Sequence, residues 1–222
     1  MACEKDTAIP ESPLGRAVEV VAGGGCIVYP TETFYALGAA MGNAAALERI
    51  VAIKGRPGSK PLPVIIGDRA QLALIQDDNA RTRWPGFACA RELMDVFWPG
   101  PLSIVLPMKS GLPARLADAK GFVSVRLTPH PVARALCLAA KTPLVATSAN
   151  VSGEAPVNDL AQLCPAVRQA ADALLAGQPR PAGGLASTVV APLAGRGIIV
   201  YRAGALPIDT LTQNGFRPVS ES

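Results

Sequence analysis

Two basic side chains two positions apart, Lys54 and Arg56, are the clearest candidate in the sequence for binding an anion. Arg56 precedes Pro57, and a residue before proline is biased towards extended backbone. Because alternate residues of an extended chain point the same way, Lys54 and Arg56 would face one anion together. Arginine offers a planar fork for phosphate, and lysine offers a mobile point charge. The same pair also fits a basic loop beyond a helix C-terminus, which the helix dipole favours.

A run of small polar residues, Thr147-Ser148-Ala149-Asn150, follows the apolar residues 144–146. Small side chains leave backbone N–H groups accessible to a phosphate or carboxylate, and a strand-to-loop turn is the alternative. No Gly-x-Ser-x-Gly turn surrounds Ser148, as it does in many hydrolases. The one histidine, His130, stands where a helix is predicted to start. The pattern therefore disfavours a serine-hydrolase triad.

The segment Thr31-Glu32-Thr33, with Tyr35 close behind, places two hydroxyls and a carboxylate directly after a buried strand predicted at 26–29. In open α/β sheets, ligands bind beyond the carboxyl ends of strands. A turn whose side chains bond their own backbone explains the same residues, and from this segment alone we favour the turn.

Two arginines close apolar runs: Arg126 ends the run at 122–125, and Arg202 follows the run at 198–201. A charge that closes a buried strand often reaches into a cleft, although a solvated strand end is the commoner outcome. The sequence contains neither a P-loop nor a Gly-x-Gly-x-x-Gly fingerprint. A nucleotide site in this chain would therefore be of another kind.

Short apolar runs alternate with helical patterns along the chain, which predicts an α/β sheet covered on both faces. A single domain is expected at 13–207, between a polar tail at 1–12 and a C-terminal tail at 208–222. Helical periodicity predicts helices at 14–21, 44–53, 87–97, 131–140 and 160–175, the last interrupted by Pro165. Apolar runs predict strands at 26–29, 62–66, 102–106, 122–127, 144–146, 187–190 and 198–201. The Pro/Gly-rich segment 177–184 is expected to be a loop.

The composition is that of a globular chain with a large core: half of the 222 residues are hydrophobic and 17% are charged. The net charge of +4 permits an anionic ligand or a nucleic acid without requiring either. Five scattered cysteines without a Cys-x-x-Cys pair predict buried thiols and no metal site. Without a signal-peptide pattern or a long apolar run, we expect a cytoplasmic protein that does not enter the membrane.

Several of these segments resemble motifs of the YrdC/TsaC family of threonylcarbamoyl-AMP synthases, in order from about Leu14 to Leu206. The matching motifs are Tyr-Pro-Thr-Glu-Thr at 29–33, Lys-Gly-Arg-Pro at 54–57, Trp-Pro-Gly-Pro-Leu at 98–102, Val-Arg at 125–126, Thr-Ser-Ala-Asn at 147–150 and Ser-Thr-Val-Val at 187–190, with Arg202 beyond them. The resemblance implies a twisted, open, mixed sheet in one domain, with helices on both faces and a large concave basic cavity.

The resemblance also implies an activity: the family condenses L-threonine, bicarbonate or CO₂, and ATP to threonylcarbamoyl-AMP and pyrophosphate. A partner complex then transfers the threonylcarbamoyl group to the adenosine beside the anticodon of tRNA. A contact with tRNA or other double-stranded RNA is expected, and Mg²⁺ is implied on the phosphates of ATP, with no metal site on the protein itself.

The site residues that the resemblance implies fall into three groups, of which the first is contained in the second. The catalytic group is Lys54, Arg56, Ser148 and Asn150. The ATP-binding group adds three residues: Lys60, Pro156 and Arg202. The threonine-binding group is Thr31, Thr33, Tyr35, Arg126, Ala146 and Ser187.

Four positions depart from the usual family pattern: Ala36, Lys60, Ser103 and Ala191. Two alternatives remain open. One is a carbamoyl-AMP-forming domain, although the zinc-finger cysteine pairs of such proteins are missing from this sequence. The other is a module of the same fold that binds tRNA or double-stranded RNA without catalysis.

Overall fold

The computed structural model describes residues 12–55 and 60–220. Arg56 therefore lies outside the described residues, as do Cys3, most of the expected N-terminal tail and the last two residues. The helices of the described part are α1 (Pro13–Ala22), α2 (Ala44–Lys54), α3 (Ala80–Arg83), α4 (Phe87–Phe97), α5 (Pro131–Ala139), α6 (Pro165–Ala170) and α7 (Ile208–Gln213).

The strands of the described part form two mixed sheets. They are β1 (Ile27–Pro30), β2 (Tyr35–Gly38), β3 (Val64–Ile66), β4 (Leu102–Pro107), β5 (Phe122–Leu127), β6 (Leu144–Val145), β7 (Thr147–Ser148), β8 (Ala173–Leu174), β9 (Thr188–Pro192), β10 (Gly197–Arg202) and β11 (Arg217–Pro218). The smaller sheet has the order β7-β2-β1-β8, and the larger has the order β11-β10-β9-β4-β5-β3-β6. Parallel pairs, such as β3 with β5 and β4 with β9, alternate with antiparallel ones. The predicted mixed α/β class is thus confirmed, and its strands are divided between two sheets.

Strand β1 shows why its sequence is apolar without alternation. Ile27 and Tyr29 pack in one hydrophobic cluster with residues of α1 and α5, whereas Val28 packs in a second cluster with residues of α2. A strand that is buried on both faces needs apolar side chains at every position.

Helix α2 is capped at both ends by residues that favour these positions. The Asn43 side chain accepts a hydrogen bond from Ala46 N at the start of α2. Gly55 ends that helix with φ of 55°, in the left-handed region that glycine adopts readily. This cap fixes Lys54 as the last residue of α2.

One prediction of local structure was wrong, and one strand was not predicted. The segment 160–175 is not one helix: a 3₁₀ turn precedes Pro165, α6 ends at Ala170, and Leu174 lies in β8 beside β1. Pro165 cannot continue a helix that precedes it, so the chain restarts there. The segment 35–38, for which no period was evident, is strand β2, paired antiparallel with β1.

Residues 208–220 form structure where a tail was expected. Helix α7 is followed by β11, which pairs parallel to β10. Leu211 and Phe216 are fully buried, and the Phe216 ring lies 5.9 Å from the Phe97 ring. The Arg196 guanidinium lies 5.0 Å from the centre of the Phe216 ring. This segment is therefore part of the hydrophobic core, because two large apolar side chains anchor it.

Of the cysteines that the structure describes, Cys26, Cys89 and Cys137 are buried thiols as predicted, and Cys164 is partly exposed. In the described part of the chain the longest helices have 11 residues, and none of its helices is long and apolar enough to cross a bilayer.

Candidate functional site

One wall of a large cavity is built by the alternation of side chains on β4 and β5. Successive side chains of a strand point to opposite faces. On β5, Phe122, Ser124 and Arg126 line the cavity, while Val123 and Val125 are buried in the core behind it. The same alternation places Ser103 of β4 on the cavity side. The cavity face of β5 therefore carries the polar side chains Ser124 and Arg126, whereas its other face is apolar.

The cavity has a volume of about 820 Å³ and lies between the two sheets. Its lining includes every predicted site residue that the structure describes: Thr31, Thr33, Tyr35, Lys54, Lys60, Arg126, Ala146, Ser148, Asn150, Pro156, Ser187 and Arg202. Arg56 was also predicted and lies outside the described residues. Segments that are far apart in the sequence thus converge on one cavity.

Lys54 is the best-defined cation of this cavity. The residue is only 3% exposed, and its Nζ donates to the backbone oxygens of Ser148 at 2.6 Å and of Asn150 at 2.7 Å. The backbone oxygen of Lys54 in turn accepts from Ser152 N at 2.8 Å. The end of α2 is thereby bonded to the loop after β7, with the ammonium group held inside the cavity wall.

The Asn150 side chain stabilises the same loop from within. Its Nδ2 donates to the backbone oxygens of Val151 at 3.0 Å and of Glu154 at 2.7 Å. Ser148 lies in β7 opposite Ala36, and Ala149 N donates to the backbone oxygen of Tyr35 at 2.9 Å. These bonds fix the loop, so that the Ser148 side chain faces the cavity on a constrained backbone.

Arg126 is buried within the opposite wall and forms an ion pair with Glu32. The commoner fate of such an arginine, a solvated strand end, is thus excluded. The second Glu32 carboxylate oxygen, Oε2, accepts from the Thr128 hydroxyl at 2.8 Å. Burial lowers the pKa of Arg126 to about 10, which leaves the guanidinium protonated at neutral pH. A guanidinium has five N–H donors, so Arg126 retains donors for an anionic ligand in the cavity.

A third polar group joins three strands of the large sheet. The Ser187 hydroxyl lies 3.0 Å from the Ser103 hydroxyl and accepts from Arg202 Nη2 at 3.1 Å. Arg202 Nε donates to the Ser187 backbone oxygen at 2.9 Å. Ser103, where threonine is common in the family, supplies the hydroxyl that this contact needs. Arg202 is therefore oriented along the cavity edge by Ser187.

The segment between β1 and β2 forms a turn stabilised by its own side chains, as the turn interpretation predicted, and it also lines the cavity. The Thr31 hydroxyl donates to the backbone oxygen of Phe34 at 2.7 Å and lies 3.4 Å from the Thr33 hydroxyl.

Partial burial raises the pKa of Tyr35, so its hydroxyl stays protonated at neutral pH. Across the cavity, Ala146 N is already bonded to the Pro63 backbone oxygen at 2.9 Å. The atom of Ala146 that could contact a ligand is therefore its carbonyl oxygen.

The loop 177–184 is bonded to this turn. Ala182 N donates to the backbone oxygen of Glu32 at 3.2 Å, and Gly183 N donates to that of Thr33 at 2.7 Å. His130 Nε2 lies 2.7 Å from the backbone oxygen of Pro179, and His130 precedes α5 as predicted. Burial lowers the pKa of His130, which favours the neutral ring. The histidine thus holds a loop and contacts no candidate nucleophile among the described residues.

Sequence reasoning missed Ser124 and gave Glu32 no role as a partner of Arg126. The Ser124 hydroxyl is buried and has no hydrogen-bond partner among the described residues, although it lines the cavity. Its signal was available: Ser124 and Arg126 alternate with valines along β5, the pattern of a strand with one polar face. No sequence signal joins Glu32 to Arg126, because 94 positions separate them.

Positive charge dominates the cavity lining. The cationic side chains in the described lining are Lys54, Lys60, Lys120, Arg126 and Arg202, and the carboxylate there is Asp118. Asp118 Oδ1 accepts from the backbone N–H groups of Lys120 and Phe122, both at 2.9 Å. Across residues 12–55 and 60–220, no three His, Cys, Asp or Glu side chains cluster closely enough to hold a metal ion. The arrangement suits an anionic ligand.

Comparison with known proteins agrees with this geometry. The family model Sua5_yciO_yrdC, described as "Telomere recombination", matches residues 19–204. The chain belongs to the Sua5/YciO/YrdC family. A family member from Nitrosococcus oceani, named threonylcarbamoyl-AMP synthase, is 35% identical over 170 residues, which are 77% of this chain and 88% of that protein. A protein of the same name from Idiomarina loihiensis is 34% identical over 139 residues, 63% of this chain and 72% of that protein.

Solved structures of the family share the fold. P. abyssi Sua5 complexed with L-threonine superposes with a TM-score of 0.83 at 28% identity, over 96% of this chain and 60% of that chain. This chain therefore spans about three fifths of the P. abyssi protein. E. coli YciO superposes with a TM-score of 0.72 at 24% identity, over 89% of this chain and 92% of that one, and shows the fold alone.

Proposed function

We propose that this protein is a threonylcarbamoyl-AMP synthase, which condenses L-threonine, bicarbonate or CO₂, and ATP to threonylcarbamoyl-AMP and pyrophosphate. The observation that carries the proposal is the convergence of the described motif residues on one cavity with a cationic group in each of two walls. The curated relatives bear the name of this activity, and the chain covers 88% of the N. oceani protein. The reaction class is a transfer of an adenylyl group, and we place it in the cytoplasm.

The ATP side of the site is assigned to the wall around Lys54. Lys54, Ser148 and Asn150, together with Arg56, would contact the phosphates, because the buried Lys54 ammonium group is bonded to the constrained loop that carries the Ser148 hydroxyl. Lys60 and Pro156 line the same cavity and would extend this subsite. Arg202 would contact the nucleotide from the edge of the large sheet.

The threonine side is assigned to the wall around Arg126. The Arg126 guanidinium would bind the carboxylate of L-threonine, because it is a buried cation with donors to spare. Thr31, Thr33, Tyr35 and Ser187 supply hydroxyls within the same cavity, which suit the hydroxyl and amine of the amino acid. Support comes from the superposition on P. abyssi Sua5 complexed with L-threonine. The Ala146 carbonyl completes the proposed group.

The chemistry requires alignment more than proton transfer. The threonine amine adds to CO₂, loses a proton and becomes a carbamate. A carbamate oxygen then attacks the α-phosphorus of ATP, and the bond between that phosphorus and the bridging oxygen breaks to release pyrophosphate. Holding carbamate and triphosphate in line among fixed cations stabilises the developing charge. The one histidine is bonded to Pro179, so the protein offers no imidazole base at the cavity.

Mg²⁺ fits this scheme as a companion of the triphosphate. The carboxylate of the described lining, Asp118, already accepts two backbone N–H bonds. Magnesium commonly keeps several waters and binds substrate phosphates directly. We therefore expect the metal to be held mainly by ATP and water, where it neutralises phosphate charge.

The product is proposed to leave for a threonylcarbamoyl transferase complex that modifies the adenosine beside the anticodon of tRNA. The cationic lining would also suit a tRNA or double-stranded RNA contact near the cavity mouth. Neither a purely RNA-binding module nor a carbamoyl-AMP-forming domain is favoured by a specific observation on this chain.

A substrate drop-out assay tests the proposal. Purified protein is incubated with ATP and Mg²⁺, and pyrophosphate release is measured with L-threonine, bicarbonate or both omitted in turn. We expect release only in the complete mixture, and L-valine, which lacks the hydroxyl, should replace L-threonine poorly. Pyrophosphate release that does not depend on L-threonine would refute the synthase assignment. RNA binding without any pyrophosphate release would favour the RNA-binding module.

A further inference from the structure

We propose that Glu32 is a positioning residue that acts through Arg126: it fixes the guanidinium in the orientation in which the cavity receives an amino-acid carboxylate. This inference rests on the proposed function, because it assigns the carboxylate of L-threonine to Arg126. Glu32 belongs to the segment Thr31-Glu32-Thr33, whose hydroxyls line the cavity, but its own carboxylate points to Arg126.

The first observation is that the ion pair is largely shielded from water. The Arg126 side chain is 7% exposed and the Glu32 side chain is 15% exposed. Within the described residues, Glu32 is the one carboxylate that forms an ion pair with the Arg126 side chain. A buried guanidinium without its counter-ion would be strongly disfavoured in its present place. The Glu32 carboxylate therefore determines where the Arg126 cation lies.

The second observation is that Glu32 is itself held on two sides. The Thr128 hydroxyl, two positions after Arg126, donates to Glu32 Oε2 at 2.8 Å. The Glu32 backbone oxygen accepts from Ala182 N at 3.2 Å, in the loop 177–184. One oxygen of the carboxylate thus pairs with Arg126, while the other accepts a hydrogen bond from Thr128, just beyond the strand that carries Arg126. Because both oxygens are held, the Glu32 carboxylate can fix the orientation of the Arg126 guanidinium.

The third observation is the position of Arg126 in the cavity lining. Arg126 lines the cavity from β5, next to the buried and unpartnered Ser124 hydroxyl. If Glu32 occupies one side of the guanidinium, the other N–H donors of this planar group are left for a ligand in the cavity. A planar fork held in this way matches a carboxylate in two-bond geometry. Losing the orientation would weaken carboxylate binding and leave the phosphate subsite around Lys54 unaffected.

The test measures two affinities separately by calorimetry, for L-threonine and for ATP, on the full chain. Glu32→Gln keeps the shape of the side chain and removes its charge. Glu48→Gln is the matched control, because Glu48 pairs with Arg115 at 2.7 Å on the exposed surface. We expect Glu32→Gln to weaken L-threonine binding about tenfold or more while ATP affinity stays within about twofold. The control should leave both affinities unchanged.

A double-mutant cycle shows whether Glu32 acts through Arg126. On an Arg126→Gln background, Glu32→Gln should cause no further loss of threonine affinity, because the residue through which it acts is already gone. If Glu32→Gln does not fold, Thr128→Val decides the question, because it keeps the charge of Glu32 and removes the hydrogen bond to Glu32 Oε2. The same substitution also removes the bond that the Thr128 hydroxyl accepts from His130 N, so ATP affinity is measured beside threonine affinity. It should weaken threonine binding by about threefold with ATP binding retained.

The outcomes separate this inference from the proposed function. If the unsubstituted protein binds no L-threonine, the proposed function fails. If it binds L-threonine and Glu32→Gln binds it equally well, the positioning role is wrong. Equal losses of threonine and ATP affinity, or additive losses in the cycle, would show a merely structural carboxylate and would also overturn the inference.

Discussion

Replacing Lys54 by methionine tests how the wall around the ATP subsite is held together. The substitution keeps the length of the side chain and removes an ammonium group that donates to the backbone oxygens of Ser148 at 2.6 Å and Asn150 at 2.7 Å. Each hydrogen bond to a charged group contributes about 1.5–3 kcal/mol, and the two carbonyl oxygens would lose this donor in a buried site. Part of this is offset because the ammonium group no longer has to be buried. We therefore expect Lys54→Met to lower the free energy of unfolding by about 3 kcal/mol.

The assay is thermal unfolding of both proteins, followed by ATP binding on the folded variant. For a chain of this size, a loss of about 3 kcal/mol lowers Tm by roughly 6–12 °C. Lys60→Met is the matched control: Lys60 lines the same cavity but is exposed, so it should weaken ATP binding without lowering Tm. A Lys54→Met protein with the Tm of the unsubstituted chain would refute the reasoning, because the two short contacts would then contribute nothing to the wall.

Three further predictions test the fold and its titrating groups. Phe216→Ala should lower the free energy of unfolding by about 3–5 kcal/mol, measured in urea, because the ring is fully buried; an unchanged midpoint would show that residues 208–220 are a tail. The bond from Arg49 lowers the pKa of Asp172, so the stability from this pair is present above the unfolded pKa and is lost as pH falls below about 4. Asp172→Asn should therefore make the free energy of unfolding less dependent on pH below about pH 4. It should cost less than about 1 kcal/mol at pH 7, because both groups are half-exposed; an unchanged dependence at acid pH would contradict this. Burial raises the pKa of the Cys137 thiol to about 12, so iodoacetamide at pH 8 should label it only after unfolding, and rapid labelling of the native protein would be inconsistent with its burial.

Much of the helical structure could be predicted because its signals are local. The limits of α2 follow from Asn43 as a cap at one end and Gly55 at the other, and both bonds are observed. Helix α4 begins and ends at the predicted residues, since residues 98–101 cannot continue a helix. Signals of this kind lie within a few residues of the element that they limit.

Strands β2 and β8 could not be predicted, because pairing with other segments of the chain decides them. Leu174 has an apolar, helix-compatible setting in the sequence, yet it lies in β8 because Val28 of β1 offers a parallel partner. Strand β2 exists because residues 31–34 turn the chain back onto β1. Neither the division into two sheets nor the burial of Phe216 is encoded in a local pattern.

The sequence predicted which residues belong to the candidate site, but it did not predict the contacts between them. Motif resemblance identified Lys54, Ser148 and Arg126, and the structure places them around one cavity. It could not show that the Lys54 ammonium bonds backbone oxygens, nor that Glu32 pairs with Arg126. Ion pairs across 94 positions depend on the sheet register, which sequence periodicity does not specify. Of the departures from the family pattern, Ala191 lies in β9 opposite Ile199 and outside the described cavity lining.

The most direct test of the proposed function is to trace the carbon of bicarbonate into the product. The protein is incubated with ATP, Mg²⁺, L-threonine and ¹³C-labelled bicarbonate, and the nucleotide products are analysed at once by mass spectrometry. The account predicts an adenylate that carries threonine and one ¹³C atom, formed in equal amount with pyrophosphate and strongly reduced in Arg126→Gln. An adenylate without the labelled carbon, or labelled product formed undiminished by Arg126→Gln, would contradict it.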